Sequence, residues 1–381
     1  MKLRSASVVI VELTLRTPFT TSFGTSTVMQ RPFVVLRTED GRTGVGEVPT
    51  LNNPAYKAEC DYPAVLTSLR EFLLPSLVKA QEERGGFDSV EDVIRAYAWV
   101  KGAVFAKSGI EAAMWDLLAQ EQHLPFWKMW GGTRTSFPVG VSIGGKNIEQ
   151  VLGLAESAVG LGYKRLKVKI WPGFDIEPAR ALRERFPDVM LQVDANSAYD
   201  MSNWERLKGL DGLNLLLIEQ PLFDDDIYLQ SLISREITTP ICLDESIHSL
   251  RDTEVALALW GDLAPERLVI NIKPPRVSGY TEAIAIAKRC EEARVRTWIG
   301  GMLDSAWGKA SNLNLNTLTA FTLPGDHFSP GGIYFVEDIT TKTLTCKDGV
   351  YSVGPGIGPG VEIDWEVFNR LSTPQFEVRF P

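Results

Sequence analysis

Sulfur and imidazole are scarce in this chain. Its 381 residues contain four cysteines (Cys60, Cys242, Cys290, Cys346) and three histidines (His123, His248, His327). The cysteines form no Cys-x-x-Cys pair and the histidines are dispersed, which argues against a disulfide framework and a Cys/His zinc site. Reduced, mostly buried thiols in a cytoplasmic protein are expected instead. No apolar run approaches the ~20 residues that a membrane span requires. The first residues, Met1 to Glu12, alternate like a strand and lack the continuous apolar stretch of a secretory leader. Basic excess is also absent. Lys and Arg number 39 against 48 Asp and Glu, a net charge of −9. That balance disfavours nonspecific nucleic-acid binding, which needs basic patches. It leaves an anionic small substrate open, because a bound metal can set the local charge.

With 44% apolar and 23% charged residues, the composition is that of a globular protein. The length suggests two domains, or one barrel with additions. Val8 to Leu15 and Phe33 to Arg37 read as strands, and Glu39-Asp40-Gly41-Arg42 as a hairpin turn. The small residues Thr20 to Thr27 between them read as a mobile loop. Ile110, Met114, Leu117 and Leu118 fall on one helical face. Residues 1–130 therefore read as a small α+β domain. After Gly131-Gly132, short β-branched runs alternate with amphipathic helices, as in βαβ units. Eight strands are expected: Pro138–Ile143, Arg165–Ile170, Met190–Asp194, Leu215–Glu219, Pro240–Asp244, Leu268–Lys273, Arg296–Ile299 and a weaker one at Ala320–Leu323. Eight fit a closed parallel barrel over 131–324 better than an open sheet. The Gly/Pro-rich segment 325–381 is expected to return to the N-terminal domain.

The spacing of strand-terminal charges carries the chemistry. Twenty-five residues separate Lys169 from Asp194, Asp194 from Glu219, and Glu219 from Asp244; Lys273 follows 29 residues later. A βα unit is about this long, so the spacing predicts one height at the C-terminal rim, where barrel active sites form. A lone strand-end Asp or Lys is ordinarily a helix N-cap or a solvated charge. A periodic set is not. Three converging carboxylates would repel one another unless a hard cation joined them, and oxygen-only ligands suit Mg²⁺ or Mn²⁺. Such a site could take a substrate carboxylate and stabilise the charge formed when the α-proton leaves. Lys167 and Lys169, two apart on one strand, both face the barrel interior. A free lysine, with a pKa of about 10.4, is a poor base. A neighbouring ammonium and a dication both favour the neutral form. We assign Lys169 as the base, with Lys167 as its electrostatic and orienting partner, and Lys273 approaches from four strands away.

Lys167-Val168-Lys169, Asp194-Ala195-Asn196, Glu219-Gln220-Pro221, Asp244-Glu245-Ser246 and Asn271-Ile272-Lys273-Pro274 resemble, in order and spacing, the motifs of the muconate-lactonizing subgroup of the enolase superfamily. The pairing of Lys or His bases with Mg²⁺ in enolase-superfamily sites is a known pattern. The resemblance covers essentially the whole chain. It implies a (β/α)7β barrel and a capping domain formed by the N-terminal region and the C-terminal tail. Pro138 to Ser142, Lys273 to Gly279, Trp298 to Leu303 and Phe321 to Asp326 are similar to the branch of o-succinylbenzoate synthases and N-succinylamino acid racemases. That likeness implies Asp194, Glu219 and Asp244 as metal ligands and Lys169 and Lys273 as an acid/base pair flanking the α-carbon. It further implies substrate contacts from Thr20, Ser22, Phe23 and Met29 in one loop and from Thr50 and Tyr56 in another. Ser142, Asn196, Gly301, Met302, Asp304 and Ser305 would add contacts at the barrel rim.

Some positions depart from the branch. Asp304-Ser305-Ala306-Trp307 stands where Glu then Thr-Gly is usual, Lys309 replaces an Arg, and His327 to Gly332 replaces a run of small residues. Trp307 is expected to lie near the distal pocket and reshape it. The activity implied is proton abstraction next to a carboxylate: dehydration to o-succinylbenzoate in menaquinone synthesis, racemisation of N-acylamino acids, or both. Rivals are a cycloisomerase, a dipeptide epimerase, for which only Asp326 of the usual Asp-x-Asp pair is evident, and a non-catalytic binding barrel. A homo-oligomer acting on a small carboxylate, without nucleic-acid or membrane partners, is expected.

Overall fold

The protein is described from a computed structural model covering residues 1–21 and 24–381. Four strands form the capping sheet. Strands β1 (Leu3–Thr21), β2 (Gly24–Thr38) and β3 (Thr43–Glu47) follow in sequence. The C-terminal strand Ser372–Arg379 lies antiparallel on the free edge of β1. Both chain ends thus build one sheet, and the tail returns to it. Within the segment read as a mobile loop, the described residues pair as strands instead: Phe19 with Ser26, Thr20 with Thr25 and Thr21 with Gly24. Threonine is a good strand former, so small size there did not mean loop. The helix Val104–Gln122 is buried on most of its surface, lying between the cap and the barrel.

The second sheet holds eight parallel strands: β4 (Ser136–Ile143), β5 (Arg165–Lys169), β6 (Met190–Asp194), β7 (Ile218–Glu219), β8 (Ile241–Leu243), β9 (Leu268–Ile272), β10 (Arg296–Ile299) and β11 (Gly325–Phe328). Strand β11 pairs with β4, and the bridge between Thr297 and Phe321 joins the run-up to β11 to β10. The closing strand was expected at Ala320–Leu323. It lies later, inside the segment assigned to the tail, because β11 carries Asp326 toward the barrel interior and so lacks an apolar signature.

Alternation along the strands divides their side chains. Outward residues such as Leu166, Val168, Val193, Ile218 and Ile270 join the large core beneath the helices. Inside the barrel, Leu217, Cys242, Val269 and Trp298 form a small apolar plug. A third cluster, including Val11, Leu13, Phe33, Val45 and Trp307, joins cap to barrel. Among the described residues no helix is long and apolar enough to cross a membrane. The four cysteines are free.

Candidate active site

The apolar plug leaves the barrel's C-terminal mouth to charged residues, each placed by a strand end. Register puts Lys169 beside Asp194 and Asp194 beside Glu219. Glu219, however, pairs with Cys242, so Asp244 stands two residues further along. Equal spacing in sequence therefore does not mean equal height throughout, because closing a barrel requires its strands to stagger.

Lys167 is the hub. Its ammonium lies 3.0 Å from Asp194, 3.1 Å from Glu219 and 2.8 Å from Asp326. Burial alone would lower its proton affinity, but the carboxylates of Asp326, Glu219 and Asp194 outweigh burial and raise it. Lys169 donates to Asp194 Oδ2 and to Asn196 Oδ1, both at 2.6 Å. Across the ring, Lys273 donates to Asp244 Oδ2 at 2.8 Å and to Tyr56 Oη at 3.1 Å. Burial pulls Lys273 down as well, and Asp244 overrides it. Lys273 is thus held as a cation by the carboxylate it contacts. Asp194 is held low: Lys169 and Lys167 overcome the effect of its burial. Glu219 goes the other way, pushed up to about 7 by burial and by Asp194.

Among the described residues no three carboxylate, imidazole or thiol groups form a ready-made metal cage. The repulsion expected between the carboxylates is met by Lys167, Lys169, Lys273 and Arg276, which occupy their oxygens. The donor set nevertheless fits a hard dication. Asp194, Glu219 and Asp244 are buried and offer only oxygen. The raised proton affinity of Glu219 marks a carboxylate short of positive charge. Gln192 Oε1, Asn271 Oδ1 and Glu245 Oε2, on these same strands and their ends, are buried oxygens without hydrogen-bond partners among the described residues.

A cavity of about 180 Å³ opens between this cluster and the cap. Lys167, Lys169, Lys273, Tyr56, Ser142, Asn196, Gly301 and Met302 line it. Other residues expected at the substrate do not. Met29 is buried in the cap–barrel core. Thr50 donates to Gln30 O at 2.7 Å and is fully buried, while Thr20 bonds Thr25 across the hairpin at 2.9 Å. Asp304 accepts from Met302 N at 3.0 Å. Ser305 caps the helix Ala306–Leu315 and donates to Glu47 at 2.6 Å. Trp307 does not reshape the cavity either; its Nε1 donates to Val45 O at 3.1 Å in the cap–barrel core. Thr50, Asp304 and Ser305 belong to a joint around Arg31, which is fully buried, binds the carbonyls of Thr50, Met302 and Leu303 and lies 3.7 Å from Glu47. Ser22 and Phe23 lie outside the described residues.

Supporting residues were missed. Asn271 donates to Glu219 Oε1 at 2.8 Å and Gln192 to Oε2 at 3.2 Å. Each stands two residues before a rim residue on the same strand, so the alternation that paired Lys167 with Lys169 could have found both. Arg276 ion-pairs with Asp244 from the turn after β9, and Glu245 accepts from Asn196 at 2.9 Å. Phe19, Leu51 and Tyr334 complete the cavity from segments that pattern alone does not bring together.

An eight-stranded parallel barrel with paired lysines facing a carboxylate trio, under a cap built from both chain ends, defines a class of barrel enzyme that removes protons next to carboxylates. Residues 4–131 match the mandelate racemase / muconate lactonizing enzyme N-terminal domain, and residues 150–367 match the enolase C-terminal domain-like family. The chain belongs to this family, within the enolase superfamily. It is 37% identical over 381 residues to an o-succinylbenzoate synthase of Enterococcus faecalis, covering 99% of both chains. It is also 37% identical over 374 residues to an N-succinylamino acid racemase of Thermus thermophilus, covering 98% of both. Among solved structures, an enolase-superfamily member from Listeria innocua superposes with a TM-score of 0.91 at 34% identity, covering 100% of this chain and 99% of that one. Membership of the superfamily implies dependence on a divalent metal.

Proposed function

We propose that this protein is an o-succinylbenzoate synthase whose site also racemises N-succinylamino acids. The observation that carries this reading is the placement of Lys169 and Lys273 on one cavity from strands four apart, each on a carboxylate of the same cluster. The names borne by the full-length relatives from Enterococcus faecalis and Thermus thermophilus support both reactions.

In the dehydration, Lys169 takes the proton next to the substrate carboxylate. The same proton then leaves with the hydroxyl as water, so Lys169 ends as it began. Lys273 stays protonated over the other face, where a cation favours a developing π system. In the racemisation, one lysine removes the α-proton and the other returns one from the opposite face. Lys167 holds positive charge beside Asp194 and Glu219 in both. When held by Asp194, Glu219 and Asp244, Mg²⁺ (or Mn²⁺) would supply positive charge against the substrate carboxylate as its second negative charge develops. Asn271 and Gln192 orient Glu219. A peptide ammonium would need a free carboxylate near β11, but Asp326 is held by Arg165 and Lys167, which disfavours a dipeptide epimerase. The free cysteines fit a cytoplasmic setting.

The test is twofold. With Mg²⁺ present, N-succinyl amino acids in deuterium oxide should exchange their α-proton, and the hydroxycyclohexadiene carboxylate precursor should yield o-succinylbenzoate. Exchange without dehydration would restrict the protein to racemisation, and neither reaction across a broad carboxylate panel would leave a binding protein.

A further inference from the structure

A second cavity, of about 240 Å³, adjoins the catalytic one at Tyr334. Tyr334 lines both and forms the wall between them, its hydroxyl held by Phe328 O at 2.9 Å. We propose that this second cavity binds a small carboxylate with an apolar body, its head resting on Lys309.

Lys309 lies on the helix Ala306–Leu315 and is 3% exposed. Among the described residues its ammonium makes no hydrogen bond or ion pair. It sits instead over two rings, 5.2 Å from the centre of Phe328 and 4.9 Å from that of Tyr334. An ammonium has three donors and no acceptor, and burying it unpaired is unfavourable. Its burial lowers its proton affinity, with Asp338 acting the other way. A chain that keeps such a group beside a cavity has a place for an acceptor.

The charges around the cavity point to an anion. Arg16 stands exposed at the rim and uses only its Nε, on Phe335 O at 3.0 Å, so its other guanidinium nitrogens are free. The acids beside it are already engaged. Asp338 accepts from Ala306 N at 2.9 Å and from Ile339 N at 2.8 Å, and Glu337 is gripped by Arg370 at 2.6 Å. The free donors are therefore cationic and the acceptors are committed. Ile333, Phe335, Val336 and Leu344 supply apolar wall, which suits a hydrocarbon body better than a bare inorganic ion.

Calorimetric titration of the full chain with sodium isovalerate tests this. Binding is expected in the wild type and in Lys169→Ala, and it should weaken at least about ten-fold in Lys309→Met and in Arg16→Gln, each of which removes a charged hydrogen-bond donor. Inorganic phosphate should not compete. Arg16 is exposed, so its variant decides the matter even if Lys309→Met folds poorly. Three results would overturn the proposal: no binding of isovalerate, binding lost in Lys169→Ala but kept in Arg16→Gln, or displacement by phosphate.

Discussion

Lys169 and Lys273 are chemically alike but differ in their partners. Lys169 is tied to Asp194 and Asn196, whereas Lys273 is tied to Asp244 and touches Tyr56 from the cap. If they serve opposite faces of an α-carbon, their removal should separate the two enantiomers of an N-succinyl amino acid. Lys169→Ala should abolish α-proton exchange from one enantiomer, and Lys273→Ala from the other, each by about 10²–10⁴-fold. Exchange followed by NMR in deuterium oxide reads this directly, and equal losses for both enantiomers in both variants would mean that the lysines do not divide the faces. Glu219 makes a separate prediction. It is fully buried, with Asn271 and Gln192 already donating to it. Glu219→Gln keeps the shape and removes the charge. Changes one layer outside metal ligands cost about 10–100-fold in affinity, so Mg²⁺ binding measured by calorimetry should weaken by at least about 100-fold. An unchanged affinity would remove Glu219 from the ligands.

The elements that carry these residues were readable to different degrees. Met190–Asp194 and Arg296–Ile299 have the bounds that the apolar pattern gives, because their outward faces are filled by core residues. Strand β11 was not readable, since Asp326 and His327 interrupt its pattern for reasons visible only in three dimensions: Asp326 meets Arg165 and Lys167. Spacing found the charged rim residues, whose type and position repeat. It could not sort Tyr56 from Thr50, or Gly301 from Asp304, because lining a cavity and joining cap to barrel both bury polar groups. Ser305 was legible in a different role, as a Ser opening a helix. One close approach gives the element-scale prediction. A Cβ on Gly300, just beyond β10, would lie 2.5 Å from Asn271 Oδ1 and 2.6 Å from Lys273 Cε. Gly300→Ala must displace both Lys273 and the Asn271 amide, which donates to Glu219. A misplacement near 1 Å costs about 10²-fold in rate. Racemase kcat should fall by at least that order, and Mg²⁺ affinity measured by calorimetry should fall with it, because Asn271 orients Glu219. An unchanged Mg²⁺ affinity would show that Asn271 moves aside without disturbing Glu219.

The molecule as a whole carries ionisable groups with opposed pH responses. Asp116, on the helix between cap and barrel, accepts from Val45 N at 3.0 Å, and burial pushes it up from 3.8 to about 7. His327 in β11, with one ring nitrogen 3.0 Å from Asn316 Nδ2, is pushed down by burial from 6.5 to about 3. Between pH 4 and 7 the folded chain keeps a proton on Asp116 that the unfolded chain has lost. Asp116 therefore makes the protein less stable as pH rises through that window. His327 does the reverse, since the unfolded chain binds a proton that the folded one refuses, so stability falls as pH drops from 6.5 toward 3. Each shift spans about three pKa units, or about 4 kcal/mol at about 1.36 kcal/mol per unit. Asp116→Asn retains an oxygen for Val45 N and cannot ionise. Denaturant unfolding between pH 4 and 7 should therefore show the variant gaining on the wild type as pH rises, by up to about 4 kcal/mol. Glu47 and Glu111 are likewise pushed up to about 7 by burial, so absolute profiles combine several groups, and the difference between the two proteins isolates Asp116. A difference that stays flat across the window would mean that Asp116 is ionised in the folded state at pH 4 and that the helix joining cap to barrel holds a charge.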